Sequence, residues 1–508
     1  MKKSTLALSV IAALGGLGLA SSALAITTIG GATATALVLN PDGIGHQLIV
    51  PYFTVQGDNT TLINITNTDL VNGKVVKVRF RGAANSDDLF DFQVLMSPGD
   101  VWTAGISQDA ASKVARLSTG DKTCVLPAAV SQPGGNTFAT SRVDPTPVKG
   151  NSANETREGY IEIINLADIP VGAPSALFTA IKHVAGVAPC TAAALDTALG
   201  TDVADVVAAA GRGMTPPSGG LTSDWIILNQ ANTAAWSGSA TALEGRIGAV
   251  KALTNLAFWP QKFGVPAAFA TSTADTLLSL APAPGEQSAQ QYDLPDLSTP
   301  VLAGETAAVR ATATANALAV TSITNQYVTS TDINAVTDLL FSQPTRRYAV
   351  AHNYVTNVPK YNTAVNTHYS PANTALGTDG AERQICLNQL IRPTSQNKIF
   401  DREETTPGVG GTVFVISPNV PSSAATFLIC GEAAVYSINA GIANASALSA
   451  TVNRGDISIS GTTYKQGWLT IATPGATAPG LPILGGAFIR ASNNVVNYGF
   501  LWNHKVTR

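Results

Sequence analysis

Between Gln47 and Ser107, short runs of Val, Ile, Phe, Tyr and Thr are cut by polar breaks at QGDN, LVNG, GAANSDD and SPGD. Runs of that length, bounded by Gly, Asn, Asp and Pro, predict antiparallel strands joined by tight turns. In Lys74 to Arg81, Val76, Val78 and Phe80 fall on one face while Lys77, Arg79 and Arg81 fall on the other. In Leu89 to Met96, Phe90, Phe92, Val94 and Met96 alternate with Asp91 and Gln93. The apolar rows predict a core shared with a second sheet, leaving one wet face on which Lys77, Arg79 and Arg81 meet Asp87, Asp88 or Asp91 across the ladder. Leu48 to Val55 carries Pro51, which cannot donate to a ladder, so an edge position or a bulge is expected there.

The same pattern recurs more loosely downstream. Gly159 to Asn165 reads as a strand and Trp225 to Leu228 as a short one, whereas Pro174 to Ala185 and the alanine-rich Ala192 to Ala210 read as helices. Ala281 to Pro300, rich in Pro, Ala and Gln, has little to bury and reads as a linker or crossover. Beyond it, Ala303 to Val320 and Ile333 to Phe341 are expected to be helical and Arg346 to Val355 a strand. Further strands are expected at Ile385 to Ile391, Thr412 to Ile416, Phe427 to Ile438, Ile457 to Ser460, Trp468 to Ala472, Ala487 to Ala491 and Val495 to Trp502. The expected fold class is mainly β: antiparallel β-sandwich domains, Ig-like or related, with a few helices in long insertions. The expected division is a signal peptide at 1–25, an N-terminal sandwich with a helical insertion at 26–280, a linker at 281–300 and a β-rich domain at 301–508.

Composition then indicates a compartment. Met1-Lys2-Lys3, an uncharged apolar stretch from Leu6 to Leu19, and Ala23-Leu24-Ala25 form a signal-peptide pattern, with cleavage expected before Ile26. No second long apolar run follows, so no transmembrane helix is expected after cleavage. The formal charge of -3 becomes -5 when Lys2 and Lys3 leave, and charged residues make up only 12% of the chain. A chain so weakly charged has no electrostatic footprint for nucleic acid and favours association over repulsion. Its four cysteines are Cys124, Cys190, Cys386 and Cys430. Export makes disulfides the natural reading, with the pairings Cys124–Cys190 and Cys386–Cys430 preferred because each stays within one half.

Candidate chemistry is sparse. The chain has no G-x-S-x-G, H-E-x-x-H or phosphate-loop motif, and His46, His183, His352, His368 and His504 lack ligand spacing. Asp87, Asp88 and Asp91 are the one candidate set for a hard cation such as calcium, with solvated or ion-paired carboxylates as the competing reading. Otherwise no cofactor is expected. Glu403 and Glu404 are adjacent, and on a strand they would point to opposite faces. Trp102, Trp225, Trp236, Trp259, Trp468 and Trp502 are candidate sugar platforms, against a default of burial in the core.

Four segments carry a wider likeness: LIVPYFTVQGDNTTLINITNT, VKVRFRGAANSDDLFDFQVLMSPGDVWTA, REGYIEI, and GLPILGGAF followed by NYGFLWNHK. Through them the chain resembles a family of exported Gram-negative bacterial cell-surface proteins with no assigned activity. The resemblance implies export and a non-catalytic surface role, and it supplies no site residues. The expected function is therefore a non-catalytic structural or interaction protein of the cell surface or extracellular matrix, associating with itself or with other surface proteins. A secreted polysaccharide- or calcium-binding module and an extracellular hydrolase are the alternatives, with the periplasm as an alternative location.

Overall fold

The computed structural model describes residues 27–144, 151–172, 176–258, 260–264, 295–354, 356–362, 364–365, 367–377, 384–387, 398–402, 428–439, 445–458, 466–493 and 496–508. The signal segment, Trp259, Glu403, Glu404 and the strand expected at Thr412 to Ile416 lie outside these residues. Among them the chain is mainly β, built from sheets that are antiparallel apart from the parallel pair Ala433–Asn439 and Arg454–Ser458, with a few short helices. No helix among them is long and apolar enough to cross a membrane.

An eight-stranded sheet is central. It runs from Val250–Lys251 through Thr241–Ile247, Gln47–Thr54, Glu158–Ile169, Gly73–Gly82 and Asp88–Met96 to Cys124–Leu126, with Ala36–Asn40 also paired to Thr241–Ile247. Against one face lies a seven-stranded sheet containing Val101–Gln108, Asn59–Asn67, Asp224–Asn229 and Ala234–Ser239. Gly57 and Asp58 both take left-handed backbone conformations, φ 54° and 64°, where the chain passes from the first sheet to the second. Pro51 sits at a bulge, as its missing N–H requires. Gly159 faces Phe53 and Ile161 faces Val50, so Gln47–Thr54 carries one extra residue there.

The core between these sheets is apolar, as the alternation predicts. Val76, Val78, Phe80, Phe90, Phe92, Val94 and Met96 meet Ile63, Ile65, Trp102, Ile106, Trp225 and Trp236. Phe53, Phe80, Phe90 and Phe138 pack ring against ring at centroid distances of 5.0–6.3 Å. The C-terminal part reaches into the same core: the Phe488 ring lies 6.1 Å from Trp225, and Trp236 Nε1 donates to the Ile489 carbonyl at 3.0 Å.

The C-terminal part has a five-stranded sheet, ordered Arg454–Ser458, Ala433–Asn439, Val336–Ser342, Leu484–Ser492, Asn497–Asn503, and a four-stranded sheet. Two expectations fail here. The helix expected over Ile333 to Phe341 is the central strand Val336–Ser342. A short apolar run fits either period, and this one is buried on both faces. Its one carboxylate, Asp338, accepts from Ser437 Oγ and Ser446 Oγ at 2.6 Å each and from the Leu448 N–H at 2.9 Å. The strand expected over Arg346 to Val355 starts as a helical turn, Arg346–Ala349, and only Val350–Asn353 is extended. Consecutive strand residues would point Arg346 and Arg347 to opposite faces, whereas the turn lets both reach the same buried layer.

The alanine-rich stretch forms two helices, Ala192–Leu199 and Val206–Gly211, the second capped by the Asp205 carboxylate on the Ala208 N–H at 2.7 Å. The last residues of the expected linker are buried: Asp296, Leu297, Ser298 and Thr299 pack against the eight-stranded sheet or its neighbours. Both disulfides form with the preferred pairing, Cys124–Cys190 and Cys386–Cys430.

Candidate functional site

The charged face of the eight-stranded sheet holds the densest chemistry among the described residues. Strand pleat puts Lys77, Arg79, Arg81, Asp91 and Glu162 on that face, and register sets Arg79 opposite Asp91 on one neighbour and Glu162 on the other. The expectation that this row faces water is wrong. Lys77, Arg79, Arg81, Asp87, Asp88 and Asp91 are all buried, because the C-terminal part covers the face. Ile49, Tyr160 and Leu243 of the same face share an apolar cluster with Leu297, Ala311, Leu339 and Phe341.

Burial demands partners, since an unpaired interior charge costs several kcal/mol. Lys77 pairs with Asp91, and Arg142 with Asp88. Arg79 lies 3.5 Å from Asp88 and donates to the Pro295 carbonyl at 3.0 Å. Arg81 bridges Glu162 at 3.4 Å and Asp296 at 3.3 Å, and also donates to the Ser86 carbonyl. From the C-terminal part, Arg347 meets Asp87 at 3.2 Å and the Asn85 carbonyl, and Tyr354 donates to Asp87. Arg346 meets Glu432 at 3.2 Å and donates to the carbonyls of Ala84, Ile385 and Gly431. The Tyr160 hydroxyl lies 2.7 Å from Ser86 Oγ and donates to the Pro344 carbonyl.

Burial pushes the carboxyls of Asp87, Glu162 and Glu432 above the usual range, against the pull of Arg347, of Arg81 with Arg79, and of Arg346 respectively. Arg310, fully buried, has its guanidinium lowered to about 10 by burial and donates to Gln47 Oε1 at 2.7 Å. None of the ion-paired side chains in this layer is more than 4% exposed. Chemically the layer is a polar lock that orients one part of the chain on the other. Buried pairs of this kind add little net stability over apolar packing, but removing one partner is costly.

The candidate cation ligands are thus accounted for. Asp87, Asp88 and Asp91 face Arg347, Arg79, Arg142 and Lys77, which leaves no local excess of negative charge for a divalent ion. Among the described residues, no group of three or more His, Cys, Asp or Glu is placed to hold a metal. The histidines are dispersed. His46 is buried and His504 half-buried, and desolvation lowers them to about 3 and about 4, while His368 bridges Asn316 and the Gly480 carbonyl. Trp102, Trp225 and Trp236 are core residues, whereas Trp468 and Trp502 are each 39% exposed. Trp468 stacks on Phe400 with ring centroids 4.5 Å apart.

Arg142, Asp296, Arg346, Arg347 and Glu432 were not singled out from the sequence. Glu162 had a visible signal: in REGYIEI, Glu158, Tyr160 and Glu162 repeat every second residue, the period of the basic row. Set beside known proteins, the chain matches no family model, no curated protein and no solved structure.

Proposed function

We propose that this is an exported, non-catalytic structural or interaction protein of the cell surface or extracellular matrix, able to self-associate. The observation that carries the reading is where the charge goes. A block of the small charge complement is paired in the interior, and the outer face of the seven-stranded sheet carries mostly uncharged side chains, such as Thr60, Asn64, Thr66, Thr103, Ser107 and Ser237, alongside the charged Arg116 and Asp224. A surface with little repulsion associates readily. Two disulfides are compatible with an oxidising compartment. Cell fractionation with negative-stain microscopy and sedimentation of the mature protein tests both parts. Recovery outside the cytoplasm and assemblies that grow with concentration are expected. A cytoplasmic pool, or strict monomers at every ionic strength, would remove the proposal.

A further inference from the structure

The last long strand, Asn497–Asn503, carries Tyr498, Phe500 and Trp502 on one face, 47%, 48% and 39% exposed. A two-residue repeat spaces them by about 7 Å along the strand. Their cross-strand neighbours are Ala491, Ile489 and Ala487, so no charged side chain stands at these six positions. The strand is held from both ends. Asn325 Nδ2 donates to the Trp502 carbonyl at 3.0 Å, and the Asn497 amide donates to the Asn232 carbonyl. At its middle, Gly499 lies so close to the Ala235 carbonyl that a side chain there would collide with it.

We propose that this row is a stacking platform for a neutral polysaccharide. Pyranose rings offer apolar C–H faces to aromatic rings while their hydroxyl edges stay in water, which suits half-exposed rings on an uncharged background. A row fixed before binding loses little entropy when a ligand lies along it. Charge and area disfavour other occupants. An anionic partner would find no cation among these six positions. The three rings expose roughly 300 Å² together, well short of the about 800 Å² per partner that a stable dimer buries. This inference stands apart from self-association and can fail or succeed without it.

The test is native electrophoresis of the full mature protein in gels containing hydroxyethylcellulose, glucomannan or dextran, with co-sedimentation on cellulose and chitin. Retention by at least one of these glycans is expected, insensitive to 0.5 M salt. Trp502→Ala and Phe500→Ala should weaken it about tenfold or more, Trp502→Phe should keep most of it, and Trp468→Ala should leave it unchanged. Circular dichroism confirms that each variant is folded. Retention by none of the five glycans would overturn the proposal, as would retention abolished by salt or unchanged in Trp502→Ala. It would fall equally if the row's substitutions abolished only a concentration-dependent dimer.

Discussion

The two faces of the eight-stranded sheet are both buried, yet they are buried by different means. One presents Val76, Val78, Phe80, Phe90 and Phe92 to a second sheet, and shape and apolar area hold it. The other presents Lys77, Arg79, Arg81, Asp91 and Glu162 to the C-terminal part, and paired charge and hydrogen bonds hold it. Alternation along a strand reports that two faces differ in chemistry. It does not report which face meets water.

Breaking the charged face one partner at a time should have the largest effect. Arg81→Met leaves Glu162 and Asp296 buried without their guanidinium and should lower unfolding stability by about 3–5 kcal/mol in denaturant titration. That rivals the about 3–5 kcal/mol expected for Phe80→Ala on the apolar face, though the latter acts through a cavity. Removing the Cys124–Cys190 bridge with paired Cys→Ala changes should cost about 2–4 kcal/mol, read as a fall in Tm that added reductant reproduces in the wild type.

The comparison sharpens when both charges go together. Lys77→Met with Asp91→Leu should lie within about 1 kcal/mol of wild type, because no charge is left unpaired, whereas either change alone should cost about 3 kcal/mol. No such rescue is available between Phe80 and Phe90. Additive losses, a coupling energy near zero, would mean that the two charges do not act as a pair and would contradict this reading.

The last comparison concerns pH. His46 stays neutral in the folded protein down to about 3, while in the unfolded chain it takes a proton near 6.5. A folded pKa below the unfolded one means that acidification through the window from about 6.5 to about 3 favours the unfolded state. The wild type should therefore lose up to about 1.4 kcal/mol per pH unit more than His46→Asn in that window. Parallel pH profiles for the two proteins would contradict this. The buried carboxyls of Asp87, Glu162 and Glu432 have the opposite sign and cancel between wild type and variant.

Much of the fold was legible. The apolar row, the bulge at Pro51, the disulfide pairing and the β-rich tail follow from local pattern and spacing. What failed depended on neighbours distant in sequence. Arg79 and Arg81 look solvated until Pro295 and Asp296 are placed beside them, more than 200 residues later. Val336–Ser342 looks helical until two flanking strands supply its ladder. Trp502 follows the core composition, but it lies on an edge strand and remains half-exposed.

The burial of the charged face is tested most directly by footprinting the native mature protein with an amine acetylating reagent and with carbodiimide plus glycine ethyl ester. Lys77, Asp91 and Glu162 should label at least tenfold more slowly than the exposed Lys122, Lys251 and Asp224, and should reach their rates only on unfolding. Equal labelling of Lys77 and Lys251 in the folded protein would place the charged row in water and contradict the account.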